Sequence, residues 1–264
     1  MNLMIMAGSA CWVMELITLG AFLSVCRDTT NLKGYILKGA TSLMVILYGM
    51  TLILLYTLHE GHPFSEASIL FMVGLFFAFL GDMGIATMQL RHGGSSKALF
   101  EKLSAEQMTI GGLTFAVVGV LFIISFFLEM VAFVKGIRGD IETYVTPFLL
   151  MFLVPILLTF VGGLLSQFKI PEVSTKIFTI AVFYILLTSA LFASISVYSF
   201  WMYQYDPRHA AFVFSAGILF VLSVLLIALR YSRPDKYETR PIRFLARLLN
   251  YISRMMLAGC AFLF

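Results

Sequence analysis

An ionisable side chain inside an apolar run is expensive in lipid, so each one needs an opposite charge, a wet cavity or a route to the interface. In this 264-residue chain the residues so placed are few: Glu15, Lys38, Asp82, Glu129, Arg247 and Arg254. Asp82 stands out because another run carries a cation at a comparable depth. At 1.5 Å per residue it lies about 12 Å from the end of its run at Leu90, and Arg254 lies about 18 Å along the last run. Two arrangements suit that match. Asp82 can floor a polar pocket, with Lys38 and Arg254 around it to receive an anion, or it can close on Arg254 as a buried structural ion pair. The residues leave both open. Lys38 and Arg247, nearer the ends of their runs, are expected to reach out to the interface. Glu129 is expected to be hydrated at the outer surface, and Glu15 has no evident partner.

Metal chemistry has little to stand on. His59-Glu60-Gly61-His62 spaces its histidines by three, and Gly61 with Pro63 marks a loop, whereas the metalloprotease pattern sets them four apart on a helix. A solvated turn is the expectation. Cys11, Cys26 and Cys260 all sit in apolar runs, and an odd number so placed gives neither a disulfide framework nor a ligand spacing. No cofactor is expected. The basic run from Arg230 to Arg247 reads as a topology signal, with anionic lipid headgroups as its alternative partner.

The elements that must position these residues follow from composition. The chain is 60% hydrophobic and 12% charged, with a mean hydropathy of +0.96, where soluble domains carry about 25% charged residues. The charges gather between apolar runs of roughly 20 residues, the length that crosses the hydrocarbon core. Polar backbone in lipid must bond to itself, so these runs are read as helices. They cover about Met4–Cys26, Tyr35–Leu58, Ala67–Leu90, Thr109–Phe133, Tyr144–Leu165, Ser174–Trp201, Ala210–Arg230 and Ile242–Phe264. The expectation is an all-α integral membrane bundle of about eight transmembrane helices with short loops, a single domain over residues 1–264. The longest connection, Arg91 to Met108, has room for a short interfacial helix.

Basic residues sort by side. Arg27, Lys33, Arg91, Lys97, Lys102, Lys169, Lys176, Arg230, Arg233, Lys236, Arg240 and Arg243 flank the odd-numbered loops, whereas Lys135, Arg138 and Arg208 flank the others. By the positive-inside rule this bias puts the odd loops in the cytoplasm and both termini outside it, in a multi-pass protein of the cell membrane. The charge of +4 is explained by that topology, and no basic face interleaved with aromatics points to nucleic acid. Pro147, Pro155 and Gly162-Gly163 in the fifth run are features that broken transporter helices use.

Several segments together resemble the lysoplasmalogenase family, also called YhhN-like, of eight-helix membrane proteins. Gly74-Leu75-Phe76-Phe77-Ala78-Phe79-Leu80-Gly81-Asp82 is similar to the family's apolar helix ending in Gly-Asp, and Lys38 stands where the family has Lys-Pro, with Gly39 in place of the proline. Gly112-Leu113-Thr114-Phe115 resembles the next helix, Tyr184 lies in a segment like the sixth, and Leu249-Asn250-Tyr251 falls where the last carries a tyrosine. Ala216-Gly217-Ile218-Leu219-Phe220-Val221-Leu222-Ser223 follows the start of the family's Ser-Asp helix, but continues with Val224; Gly119 and Phe122 stand where the fourth helix has histidine and tyrosine.

The resemblance implies hydrolysis of the vinyl-ether bond of lysoplasmalogen, with Asp82 catalytic and Lys38, Tyr184, Ser223, Tyr251 and Arg254 binding substrate. The partner would be a membrane lysophospholipid. Such a reaction needs an acid to protonate the vinyl carbon, a carboxylate to steady the oxocarbenium ion and a positioned water. Two other classes stand beside it: a non-catalytic relative that binds lipid or a partner through the same pocket, and a small-molecule transporter.

Overall fold

The computed structural model describes residues 2–25, 32–60, 64–92, 110–137, 141–165, 175–232 and 239–261. Among them are eight α-helices, α1 (Asn2–Val25), α2 (Leu32–Glu60), α3 (Glu66–His92), α4 (Ile110–Gly136), α5 (Val145–Leu165), α6 (Thr175–Tyr203), α7 (Pro207–Ser232) and α8 (Arg240–Cys260), with a 3-10 turn at Ile141–Tyr144 before α5 and no strand. Six of these, α2 to α7, contain spans long and apolar enough to cross a membrane, and α1 carries a shorter apolar stretch at Trp12–Ala21. Large apolar side chains such as Leu54, Phe76, Leu150 and Phe160 face outward, as a lipid solvent requires. The chain is an all-α multi-pass membrane bundle.

The last helix departs from the expected apolar span. α8 is strongly amphipathic and begins with Arg240, Arg243 and Arg247, yet from Tyr251 to Ala261 most of its side chains are buried. Protein rather than lipid surrounds that half, so apolarity all round is not needed. Three hydrogen bonds from hydroxyls tie it in: Ser253 Oγ donates to the Ala216 carbonyl of α7 (2.7 Å), Ser68 Oγ of α3 donates to the Ala261 carbonyl (2.8 Å), and Tyr251 Oη meets Ser42 Oγ of α2 (3.0 Å).

Helix neighbours close a ring: α2 packs on α3, α3 on α4, α4 on α6, α6 on α7, α7 on α8, and α8 returns to α2. α1 lies outside the ring against α2, and α5 against α6. α6 is enclosed all round from Leu191 to Ser199. Its small residues let neighbours approach closely, and its buried hydroxyls cost little because Thr188, Ser189, Ser194, Ser196 and Ser199 each donate to the carbonyl four residues back. Aromatic rings fill the interior beside it, with Phe133 edge-on to Phe71 and Tyr198, and Phe126 against Tyr184 and Phe220.

The proline-bearing helix sits away from this interior. α5 continues unbroken across Pro155, and Thr159 Oγ1 donates to the Pro155 carbonyl. The features that suggested a transporter's broken helix are therefore on a peripheral element. The connection from Arg91 to Met108, and the side chains of His59 to His62, fall almost wholly outside the described residues.

Candidate functional site

α2, α3 and α8 bring the deep ionisable residues together. On α3 the cavity-lining positions Leu75, Phe79 and Asp82 recur at helical spacing on one stripe; α2 adds Ser42, Val45 and Ile46, and α8 adds Tyr251 and Arg254. α3 and α8 do not pack tightly on one another, so long side chains occupy the space between them. The cavity they line measures about 10 Å³, room for about one water molecule.

Asp82 does not pair with Arg254. Its partner is Lys38, whose Nζ lies 3.5 Å from Asp82 Oδ1 and donates to the Asp82 backbone carbonyl at 3.0 Å. With side chains only 13% and 15% exposed, Lys38 and Asp82 form a largely desolvated pair, and the expectation that Lys38 reaches the interface is overturned. Lys38 starts one turn and a half into α2, where Asp82 of the antiparallel α3 passes it at the same level. An anchored carboxylate is the lower-energy use of a cation that would otherwise have to extend past its neighbours to water.

Arg254 is 9% exposed. Its Nε has no hydrogen-bond partner, and among the described residues no hydrogen bond or ion pair closes on its guanidinium. Glu129 of α4 also lies inside the bundle. That carboxyl group is buried, 4% exposed, and accepts a hydrogen bond from Ser125 Oγ at 2.9 Å. The expectation of a hydrated Glu129 therefore fails: the side chain turns inward along α3 rather than out to the nearby surface. Gly74 makes this possible, since a Cβ there would come 2.8 Å from Glu129 Cγ and 3.1 Å from the Ser125 carbonyl. The sequence held one signal for it, a glycine on α3 facing a glutamate on the next helix, but pairing them needs the register between the helices.

The remaining candidates lie elsewhere. Tyr184 packs its ring on Phe126, centroids 5.6 Å apart, and Ser223 Oγ donates to the Phe220 carbonyl of its own helix at 2.7 Å; neither lines the cavity. Val224 is buried in the apolar core. Phe122 lies against Gly81, next to Asp82, where a Cβ on the glycine would come 2.9 Å from its ring, so a ring without a hydroxyl covers that side. Tyr251 and Ser42, hydrogen-bonded to each other, are the hydroxyls at the cavity. Among the described residues no three histidine, cysteine, aspartate or glutamate side chains cluster as metal ligands, and Cys260 is a buried free thiol.

The arrangement offers a carboxylate held in place by an ammonium, a guanidinium with unused donors and space for one water between apolar walls. It can orient a water, steady a developing positive charge at Asp82 and receive an oxyanion at Arg254. No family model, curated protein or solved structure matches the chain.

Proposed function

We propose that this chain is a lysoplasmalogenase-like membrane hydrolase acting on the vinyl-ether bond of a lysophospholipid. The observation that carries the reading is the cavity for one water lined by Asp82 and by Arg254, whose Nε has no hydrogen-bond partner among the described residues. Transfer of the Asp82 carboxyl proton to the vinyl carbon turns the ether into an oxocarbenium ion. The Asp82 carboxylate left by that transfer faces the cation and takes a proton back from the water as it adds. The hemiacetal so formed loses the glycerol oxygen, giving a fatty aldehyde and the glycerophospho headgroup, with one water consumed. Arg254 receives the phosphate. In the proposed orientation the odd loops are cytoplasmic; Lys38 then lies about 9 Å from the start of α2 and Asp82 about 15 Å from the end of α3, in the cytoplasmic half of the bundle.

A second reading rests on Val224 and Phe122. Both positions are apolar where the resembled family carries polar groups, which favours a relative that binds lipid without cleaving it. One experiment separates the two: purified protein in lipid nanodiscs is given lysoplasmalogen, and aldehyde release is followed for the wild type and for Asp82→Asn. Hydrolysis lost in Asp82→Asn supports the first. Co-purifying lysolipid with no turnover by the wild type supports the second and sinks the first.

A further inference from the structure

The end of the bundle at which α2 and α8 begin and α7 finishes gathers cations from three helices. α8 packs on both α2 and α7, and two hydrogen bonds set their levels. Counted back from the Ser42–Tyr251 bond, Arg247 stands level with Lys38, and Arg243 with the first turn of α2, where Lys33 is exposed. Counted from the Ser253–Ala216 bond, Arg230 on α7 stands level with the start of α8. Lys33, Arg230, Arg243 and Arg247 therefore share a slab about 12 Å deep along the helix axes.

Carboxylates do not match them in number. Among the described residues Glu66, Glu142 and Asp206 belong to the opposite end, Glu129 accepts from Ser125, and Asp82 is held by Lys38. In sequence, Arg230 to Arg247 includes six basic residues against two acidic ones, Asp235 and Glu238, and Asp28 ahead of α2 is next to Arg27.

The same stretch of α8 turns Phe244 and Leu245 outward, while Arg243 and Arg247 are half-buried. Apolar side chains facing out beside arginines suit the boundary between acyl chains and headgroups, where arginine stems lie along hydrocarbon and the guanidinium groups reach phosphate oxygens. A run of about four to eight basic residues at the end of a membrane helix selects headgroups of net negative charge, because a zwitterionic headgroup brings its own ammonium into the same field.

We infer that this end of α2, α7 and α8 is a docking surface for the headgroup of an anionic phospholipid in the adjoining leaflet, its phosphate on Arg243 and Arg247 in a positive field to which Lys33 and Arg230 add. The lipid stays at the rim, and none of it enters the one-water cavity. Docking here is separate from hydrolysis and needs no turnover.

The test is native mass spectrometry of the intact protein in an uncharged detergent, titrated with dioleoylphosphatidylglycerol or dioleoylphosphatidylcholine so that the first bound lipid is resolved. At roughly fivefold per basic residue, phosphatidylglycerol should bind more tightly by about an order of magnitude or more. Arg243→Gln combined with Arg247→Gln should remove most of that preference, while phosphatidylcholine binding and the size-exclusion profile stay as in the wild type. Lys135→Gln combined with Arg208→Gln takes the same charge from exposed positions at the opposite end and should leave the preference intact.

Equal binding of the two lipids, an unchanged preference in the arginine double variant, an equal loss in the opposite-end variant, or displacement of the lipid by inorganic phosphate at the lipid's own concentration overturns the proposal. The last of these would make the surface one for soluble anions. Aldehyde release from lysoplasmalogen, present or absent, decides only the hydrolase reading.

Discussion

Replacing Gly74 by alanine tests the packing that puts Glu129 inside the bundle. The added Cβ would stand 2.8 Å from Glu129 Cγ, 3.1 Å from the Ser125 carbonyl and 3.3 Å from the Glu129 backbone nitrogen, against ordinary contacts of about 3.5–4.0 Å. Two of those three atoms are backbone, so turning a side chain does not relieve them and α3 has to move away from α4. Overpacking of this kind costs about 1–3 kcal/mol. Alanine returns about 1 kcal/mol through helix propensity, leaving a net loss of up to about 2 kcal/mol. Gly119 on α4 is the control, because a Cβ there meets nothing within 4 Å, so Gly119→Ala should keep most of the propensity gain. The two variants should differ by about 2 kcal/mol in equilibrium unfolding by graded denaturing detergent. Equal stabilities, or a more stable Gly74→Ala, would refute the close α3–α4 contact and the buried Glu129 that depends on it.

Asp206 caps α7, its Oδ1 accepting from the backbone N–H groups of Arg208 (3.0 Å) and His209 (3.2 Å) and its Oδ2 meeting His209 Nδ1. Those hydrogen bonds, the His209 side chain's first, hold its carboxyl below the ordinary 3.8. A lowered folded-state value means that its stabilisation is complete above the ordinary value and is lost as pH falls below it. Asp206→Ala should therefore melt below the wild type near neutral pH and converge with it in strong acid; a gap that persists in acid would count against the cap. At the cavity, Tyr251→Phe leaves the buried Ser42 hydroxyl without its partner and should cost about 1–3 kcal/mol, while adding Ser42→Ala should cost less than the sum of the two single changes. Strict additivity in that double-mutant cycle would mean the 3.0 Å contact contributes nothing.

The six apolar spans from α2 to α7 were legible because a membrane imposes its thickness on every run that crosses it. The expected fifth run, Tyr144–Leu165, and the observed α5, Val145–Leu165, differ by a single residue. The expected eighth, Ile242–Phe264, begins two residues late, because Arg240 and Pro241 form the first turn of a polar helix rather than its flank. The partners within the site were not legible. Depth along each helix allowed Asp82 to meet either Lys38 or Arg254, and depth is the one coordinate that apolar runs supply. Which face a residue presents, and to whom, depends on the rotation of each helix about its axis, which apolarity on all sides does not specify.

Sequence by itself determined a multi-pass helical membrane protein and the short set of ionisable residues that needed company, since the cost of a bare charge or an unpaired backbone group in lipid applies before any packing is known. Tertiary structure alone decided the company: Lys38 on Asp82, Glu129 turned inward beside Gly74, and Arg254 at the cavity with its Nε lacking a partner among the described residues. Those outcomes follow from how closely α2, α3, α4 and α8 approach one another, and that distance is set by the small and large side chains of all four helices at once.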